Sequence, residues 1–120
     1  MPYPHVFQPL QIAGCTIPNR IARTAHSTGT AGEELIAYHE ARAAGGVGLA
    51  VIEIAGVVSA SATAIGVYSD AVLPFYAELA RRLHAHGTKV FQQLWHGGAA
   101  YGRAGRPVSA SAVPAPSVKS

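Results

Sequence analysis

Residues Gly45–Ile54 read GGVGLAVIEI, and their reading decides the fold. From Val47 to Ile54 the residues are almost all apolar, with Glu53 the one charge and hardly any alternation. A strand that faces water on one side alternates apolar and polar side chains. A strand without that alternation is covered on both faces, as in a parallel sheet layered with helices. The glycines that precede it stand before a strand, so they read as the stop of a helix.

Upstream of them, EELIAYHEARAAGG (residues 33–46) has helical character. Glu33 and Glu34 suit the positive N-terminal end of a helix dipole, and Gly45 suits its end. Downstream, residues 55–70 form a loop of small residues. A second helix begins near Asp70–Pro74, with Ser69 or Asp70 as its cap. Leu73, Tyr76, Leu79, Ala80 and Leu83 recur at helical spacing and give it an apolar face, and Gly87 ends it. Lys89–Trp95 is a further strand, and Gly97–Ser120, rich in Gly, Pro, Ala and Ser, reads as loop. At the other end, FQPLQIAGCTI (residues 7–17) makes two short extended pieces around a turn at Ala13-Gly14. Pro18-Asn19 breaks the chain before a short candidate strand, Arg20–Ala25.

The order is hairpin, β, α, β, α, β, loop, which implies a parallel α/β sheet with right-handed crossovers. Two architectures compete. A dinucleotide-binding sheet carries G-x-G-x-x-G between its first strand and helix, but here that turn reads AHSTGTAGEEL. A β/α barrel is therefore preferred. A whole barrel has eight such units over roughly 250 residues, and this chain holds two units and one further strand. The reading is an incomplete TIM (β/α)8 barrel, its N-terminal portion, since an open three-stranded sheet leaves an edge and apolar faces uncovered.

Composition narrows the partners. Of the 120 residues, 49% are hydrophobic and 12% charged, about half the usual charged share. The net charge of +3 is scattered, with Arg81-Arg82 the one adjacent basic pair. Nothing here tracks a phosphate backbone, so no nucleic acid partner is expected. The single cysteine, Cys15, cannot form an internal disulfide. The start, MPYPHVFQPL, lacks the charged and apolar regions of a signal peptide. The longest apolar stretch, Val47–Val58, contains Glu53 and is too short to span a bilayer. A cytoplasmic protein with no membrane partner is the expectation.

Barrel chemistry sits where strands end and βα loops begin. Those ends read ARTAHSTG, IEIAG and QQLWHGG. Gln93 is the most informative residue. If Gln92 faces the helices, Gln93 projects into the barrel mouth, and its planar amide offers one acceptor and two donors. That matches a ligand edge alternating N–H and C=O, such as a flavin pyrimidine; a core amide bonded to a neighbouring backbone is the alternative. His96 lies at the strand exit, and Gly97 and Gly98 permit a turn or a close ligand approach. Glu53 is either a base at the mouth or, preferably, a structural carboxylate tied to an arginine such as Arg20. His26 and Ser27 are adjacent and point apart, and there is no G-x-S-x-G elbow, which excludes a hydrolase. His84 and His86 diverge on their helix and make no metal pair. With His5 and His39 they read as solvated surface.

Taken together, these segments resemble the Old Yellow Enzyme-like NADH:flavin oxidoreductases. FQPLQIAGCTIPNRIARTAHSTG resembles the family's opening hairpin, N-R-hydrophobic strand and flavin-contacting loop. EARAAGGVGLAVIEIAGV resembles its second strand, KVFQQLWHGGA its Q-L-x-H-x-G segment, and RPVSASAVPAPS the loop that follows. The resemblance implies that residues 1–120 are the N-terminal part of a single FMN-binding TIM-barrel domain. It implies non-covalent FMN at the barrel mouth, with NAD(P)H as electron donor and a small molecule as substrate. Ala25, His26 and Ser27 would lie along the flavin edge, partly through backbone groups, Ile54 beside the ring, and Gln93 on the pyrimidine. His96 falls on the motif histidine, a supporting position. No catalytic residue is assigned within this stretch.

Ala99 departs from the Arg that many members carry after H-x-G, and WHGGA is closer to the branch of trimethylamine dehydrogenase and 2,4-dienoyl-CoA reductase. Amine dehydrogenases of that branch tether FMN through a cysteine where Ser27 stands, so no covalent link is expected here. The implied reaction is hydride transfer to an activated alkene, an enone or enoyl thioester, with amine oxidation as the alternative. An iron–sulfur cluster would belong only to a C-terminal part beyond residue 120, and homo-oligomers are compatible with the family. The 120-residue piece alone is expected to be inactive and to bind FMN weakly at best. A different alternative is a truncated, non-catalytic barrel piece that persists by associating with other chains.

Overall fold

A tight turn joins the first two strands. β1 (Leu10–Ile12) and β2 (Cys15–Ile17) pair antiparallel across Ala13-Gly14, as the sequence implies. Ala13 takes a left-handed backbone with φ 47°, a conformation a non-glycine residue adopts at a cost of roughly 1–2 kcal/mol. The Gln11 side-chain amide braces that turn by donating to the Ala13 carbonyl at 2.6 Å. The computed structural model of the chain describes residues 2–61, 63–101 and 109–111. Most of the Pro/Ala/Ser segment RPVSASAVPAPS lies outside the described residues.

Three strands in sequence order then make the parallel sheet: β3 (Ala22–Arg23), β4 (Leu49–Gly56) and, after a short strand β5 (Ile65–Gly66), β6 (Lys89–Trp95). β4 lies between β3 and β6 and runs parallel to both. β5 continues alongside the last residues of β4, pairing Ala55 with Ile65. The helices α1 (Gly32–Ala44) and α2 (Leu73–Ala85) connect these strands.

The elements fall close to their expected places. β6 has the expected bounds, and α1 stops at Gly45. β3 is shorter than Arg20–Ala25, and β4 begins two residues later than Val47 and runs on to Gly56. The entry to β4 is taken up by another contact. Asn19 receives the Ile21 amide at its side-chain oxygen (3.0 Å) and donates to the Gly46 carbonyl (2.9 Å). A side chain at Gly48 would meet that Asn19 oxygen at 2.5 Å, so only glycine fits. Ser69, one of the two expected caps, accepts the Ala71 amide at 3.3 Å and starts a 3-10 turn (Asp70–Val72) that leads into α2.

The core lies between helices and sheet. Leu35 of α1, Ile52 of β4, and Leu79 and Leu83 of α2 are wholly buried, with Ile36, Ala43, Ala50, Ala55 and Ile65 around them. Of the expected α2 face, Leu73 is exposed, because it sits at the first residue of the helix, outside this cluster. Arg82 fastens α2 to α1, bonding Glu33 at 2.5 Å and also Glu40. That hydrogen bond holds the Glu40 carboxyl below its usual range. On β6, Phe91 and Leu94 are exposed, as an open sheet lacking its neighbours leaves them.

Candidate functional site

The C-terminal ends of β3, β4 and β6 converge on one residue, Glu53. The regular pairing of β4 with β6 runs to Ile52 opposite Gln92 and resumes at Ala55 opposite Leu94. Glu53 and Ile54 therefore stand opposite the single residue Gln93, a β-bulge. Bulges re-aim side chains and cluster near active sites. This one brings Ile54 and Gln93 level with each other at the strand ends.

Gln92 and Gln93 separate as the sequence implies. The Gln92 oxygen accepts the Tyr76 hydroxyl of α2 at 2.7 Å, and its nitrogen donates to the Glu53 carbonyl and to the Gln93 carbonyl at 2.8 Å. Its amide is thus engaged at both ends, and it faces the helices. Burial raises the Tyr76 phenol to about 12, so it stays a donor at all ordinary pH. The Gln93 side chain is exposed and has no hydrogen-bond partner among the described residues.

Ala25 is half-buried, while His26 and Ser27 are exposed in the segment just past β3. This segment is pinned at Glu53, whose carboxylate accepts the Thr28 amide at 2.8 Å. Past β6, His96 is exposed, and its Nδ1 accepts the Gly98 amide at 2.9 Å. The loop after β4 is tied to the same turn: buried Ser61 receives the Gly97 amide at 2.8 Å, and Val57 donates to the Trp95 carbonyl at 3.1 Å. Thr63 closes that loop on itself, bonding the Ile54 carbonyl at 3.2 Å and receiving the Gly56 amide at 3.1 Å. Gly56 is required there, because a Cβ would collide with the Ser61 carbonyl. The structure thus brings Ala25, His26, Ser27, Ile54 and Gln93 to one end of the sheet, with His96 beside them.

Two expectations are overturned. Glu53 is a structural carboxylate, but its partner is the Thr28 amide and not Arg20. With Ala22 opposite Leu49, Arg20 lies level with Val47, before the start of β4 and six residues from Glu53, roughly 20 Å along a strand. His39 is not surface: it is 1% exposed, and neither ring nitrogen has a hydrogen-bond partner among the described residues. Burial, reinforced by the Arg23 cation, lowers its pKa to about 4, so the ring is neutral at pH 7. His5, His84 and His86 are exposed as expected.

Sequence reasoning also passed over Arg23. It is only 8% exposed, and its guanidinium donates to the Thr24 carbonyl, to the His26 carbonyl at 3.0 Å and to the Tyr38 hydroxyl at 3.4 Å. The signal was an arginine inside a strand expected to be covered by helices, where a charge must find partners. Among the described residues no group of three His, Cys, Asp or Glu side chains could hold a metal ion. Nor is any helix long and apolar enough to cross a membrane.

A parallel β/α sheet with its polar residues gathered at the strand ends fits an open portion of a TIM barrel. Comparison with known proteins gives the family. Residues 5–118 match the NADH:flavin oxidoreductase / NADH oxidase family, and the chain belongs to it. It is 30% identical over 109 residues to an N,N-dimethylglycine/sarcosine dehydrogenase of Chromohalobacter salexigens, covering 82% of this chain and 16% of that enzyme. With an NADH oxidase of Thermoanaerobacter brockii the identity is 32% over 106 residues, 80% of this chain and 16% of the relative. The old yellow enzyme of Trypanosoma cruzi superposes with a TM-score of 0.77 at 27% identity, over 95% of this chain and 36% of that one. The chain thus spans about a sixth of the two curated relatives and about a third of the solved structure.

Proposed function

We propose that residues 1–120 form the N-terminal part of a single FMN-binding barrel domain and supply one wall of its flavin site. The observation that carries this reading is the contrast at the bulge: Gln92 is fully engaged, whereas Gln93, one residue on, presents at the strand ends an amide with no partner among the described residues. A primary amide with donor and acceptor both free suits the alternating N–H and C=O edge of a flavin pyrimidine. The residues present therefore fit FMN, and family membership supports the choice.

When bound, the flavin would supply the hydride chemistry; the protein orients the ring and tunes it. Gln93 would donate to the pyrimidine and favour negative charge there. Ile54 would pack beside the ring, and Ala25, His26 and Ser27 would line its edge. The reaction proposed for the whole protein is transfer of a hydride from NAD(P)H, by way of FMN, to an activated alkene such as an enone or enoyl thioester.

Amine oxidation is the second reading, favoured by the likeness to the dimethylglycine/sarcosine dehydrogenase. The full-length gene product, purified and mixed anaerobically with NAD(P)H or with an N-methylated amine, distinguishes the two. Bleaching of a yellow flavin by NAD(P)H, and its return with an enone, supports alkene reduction; bleaching by the amine alone supports the other reading. A colourless protein that takes up no FMN contradicts both.

A further inference from the structure

We propose that Arg23 and Glu53 are positioning residues: together they clamp the segment Thr24–Thr28 so that its remaining backbone groups face the flavin. This rests on the flavin reading above. The segment runs on from β3 without a turn or bend. In extended backbone, successive residues turn their N–H and C=O to opposite sides.

The bonds follow that alternation. Arg23 takes the carbonyls of Thr24 and His26, and Glu53 takes the amide of Thr28. The Thr24 and His26 carbonyls and the Thr28 amide are thus held by the clamp, whereas the backbone groups of Ala25 and Ser27 between them have no partner among the described residues.

The chemistry of the two side chains is matched to this task. A guanidinium carries donors only and suits two carbonyls, whereas a carboxylate accepts and suits an N–H. Among the described residues no ion pair joins the two, and besides the segment Arg23 reaches only the Tyr38 hydroxyl. Both are rigidly seated. Arg23 and Glu53 are 8% and 3% exposed, on adjacent strands. The Tyr38 ring lies 5.3 Å from the Arg23 guanidinium, with Arg42 stacked on the same ring at 3.2 Å.

The test is residue-resolved amide hydrogen exchange on the full-length apoprotein, paired with FMN titration. In the wild type, the Thr28 amide exchanges slowly, and those of Ala25 and Ser27 exchange quickly until FMN is added. Glu53→Ala speeds Thr28 exchange about a hundredfold and weakens FMN about tenfold, whereas Glu53→Gln, which keeps an acceptor oxygen, restores most of both. Arg23→Met weakens FMN by a similar factor, and Arg23→Lys recovers part of it. Should Glu53→Ala fail to fold, the Gln and Lys variants carry the same comparison. Fast Thr28 exchange in the wild type, or full FMN affinity in Arg23→Met or Glu53→Ala, overturns the clamp. A wild type that binds no FMN while keeping the exchange pattern overturns the flavin reading instead.

Discussion

The two sides of β6 use the same residue in opposite ways. Towards α2, Gln92 sits in a packed layer where every polar atom it presents is matched, next to wholly buried Ile52, Leu79 and Leu83. At the strand ends, Gln93 stands at a bulge, exposed, with its amide unpaired among the described residues. The difference teaches where the molecule is built for stability and where for contact. Buried polar groups left unmatched are costly, which is why Gln92 is matched; an exposed amide carries no such cost and is available to a ligand, the role proposed for Gln93.

The comparison breaks first if the packed side is not the source of stability. Ile52→Ala opens a cavity at the centre of the helix–sheet layer and should cost about 2–5 kcal/mol, read by chemical denaturation of the full-length protein. Acid should probe the same layer through His39. Its folded pKa of about 4 lies below the unfolded value of 6.5. Between those values the unfolded chain binds a proton that the folded chain rejects, so stability falls as pH drops through the window, by on the order of 3 kcal/mol. Above pH 6.5 this contribution is constant. His39→Leu should flatten the slope between pH 6.5 and 4, measured by unfolding at a series of pH values. Gln92→Ala leaves the Tyr76 hydroxyl and the Glu53 carbonyl without their partner and should lose about 1–3 kcal/mol. At the small end, Arg81→Ala removes an exposed pair with Glu78 on the outer face of α2 and should leave the unfolding midpoint unchanged.

Much of this contrast was legible in the residues. The unbroken apolar run of β4 announced a strand covered on both faces, and the glycines at 45 and 87 marked the ends of the helical runs. Alternation along Lys89–Trp95 separated Gln92 from Gln93 without knowledge of Tyr76. What escaped the reading is equally physical. β5 is two residues long in a run of Ala, Ser and Thr, too short for any period, and it is secured by the Thr63 hydroxyl, which bonds the Ile65 carbonyl at 2.5 Å. His39 was misread because its polarity outweighed its position. It stands four residues after Leu35 and four before Ala43, both buried, and so lies on the core stripe of α1. Arg23 and Glu53 hold backbone rather than each other, and no pattern of side-chain types announces a bond to a main-chain carbonyl or amide.

The central claim is that the free amide of Gln93, unlike that of Gln92, faces a flavin. Titration of the full-length apoprotein with FMN, followed by flavin fluorescence and paired with unfolding midpoints, tests it most directly. Gln93→Ala should bind FMN about tenfold more weakly with its stability unchanged. Wild-type affinity in Gln93→Ala, or no flavin uptake by the wild type, would contradict the account.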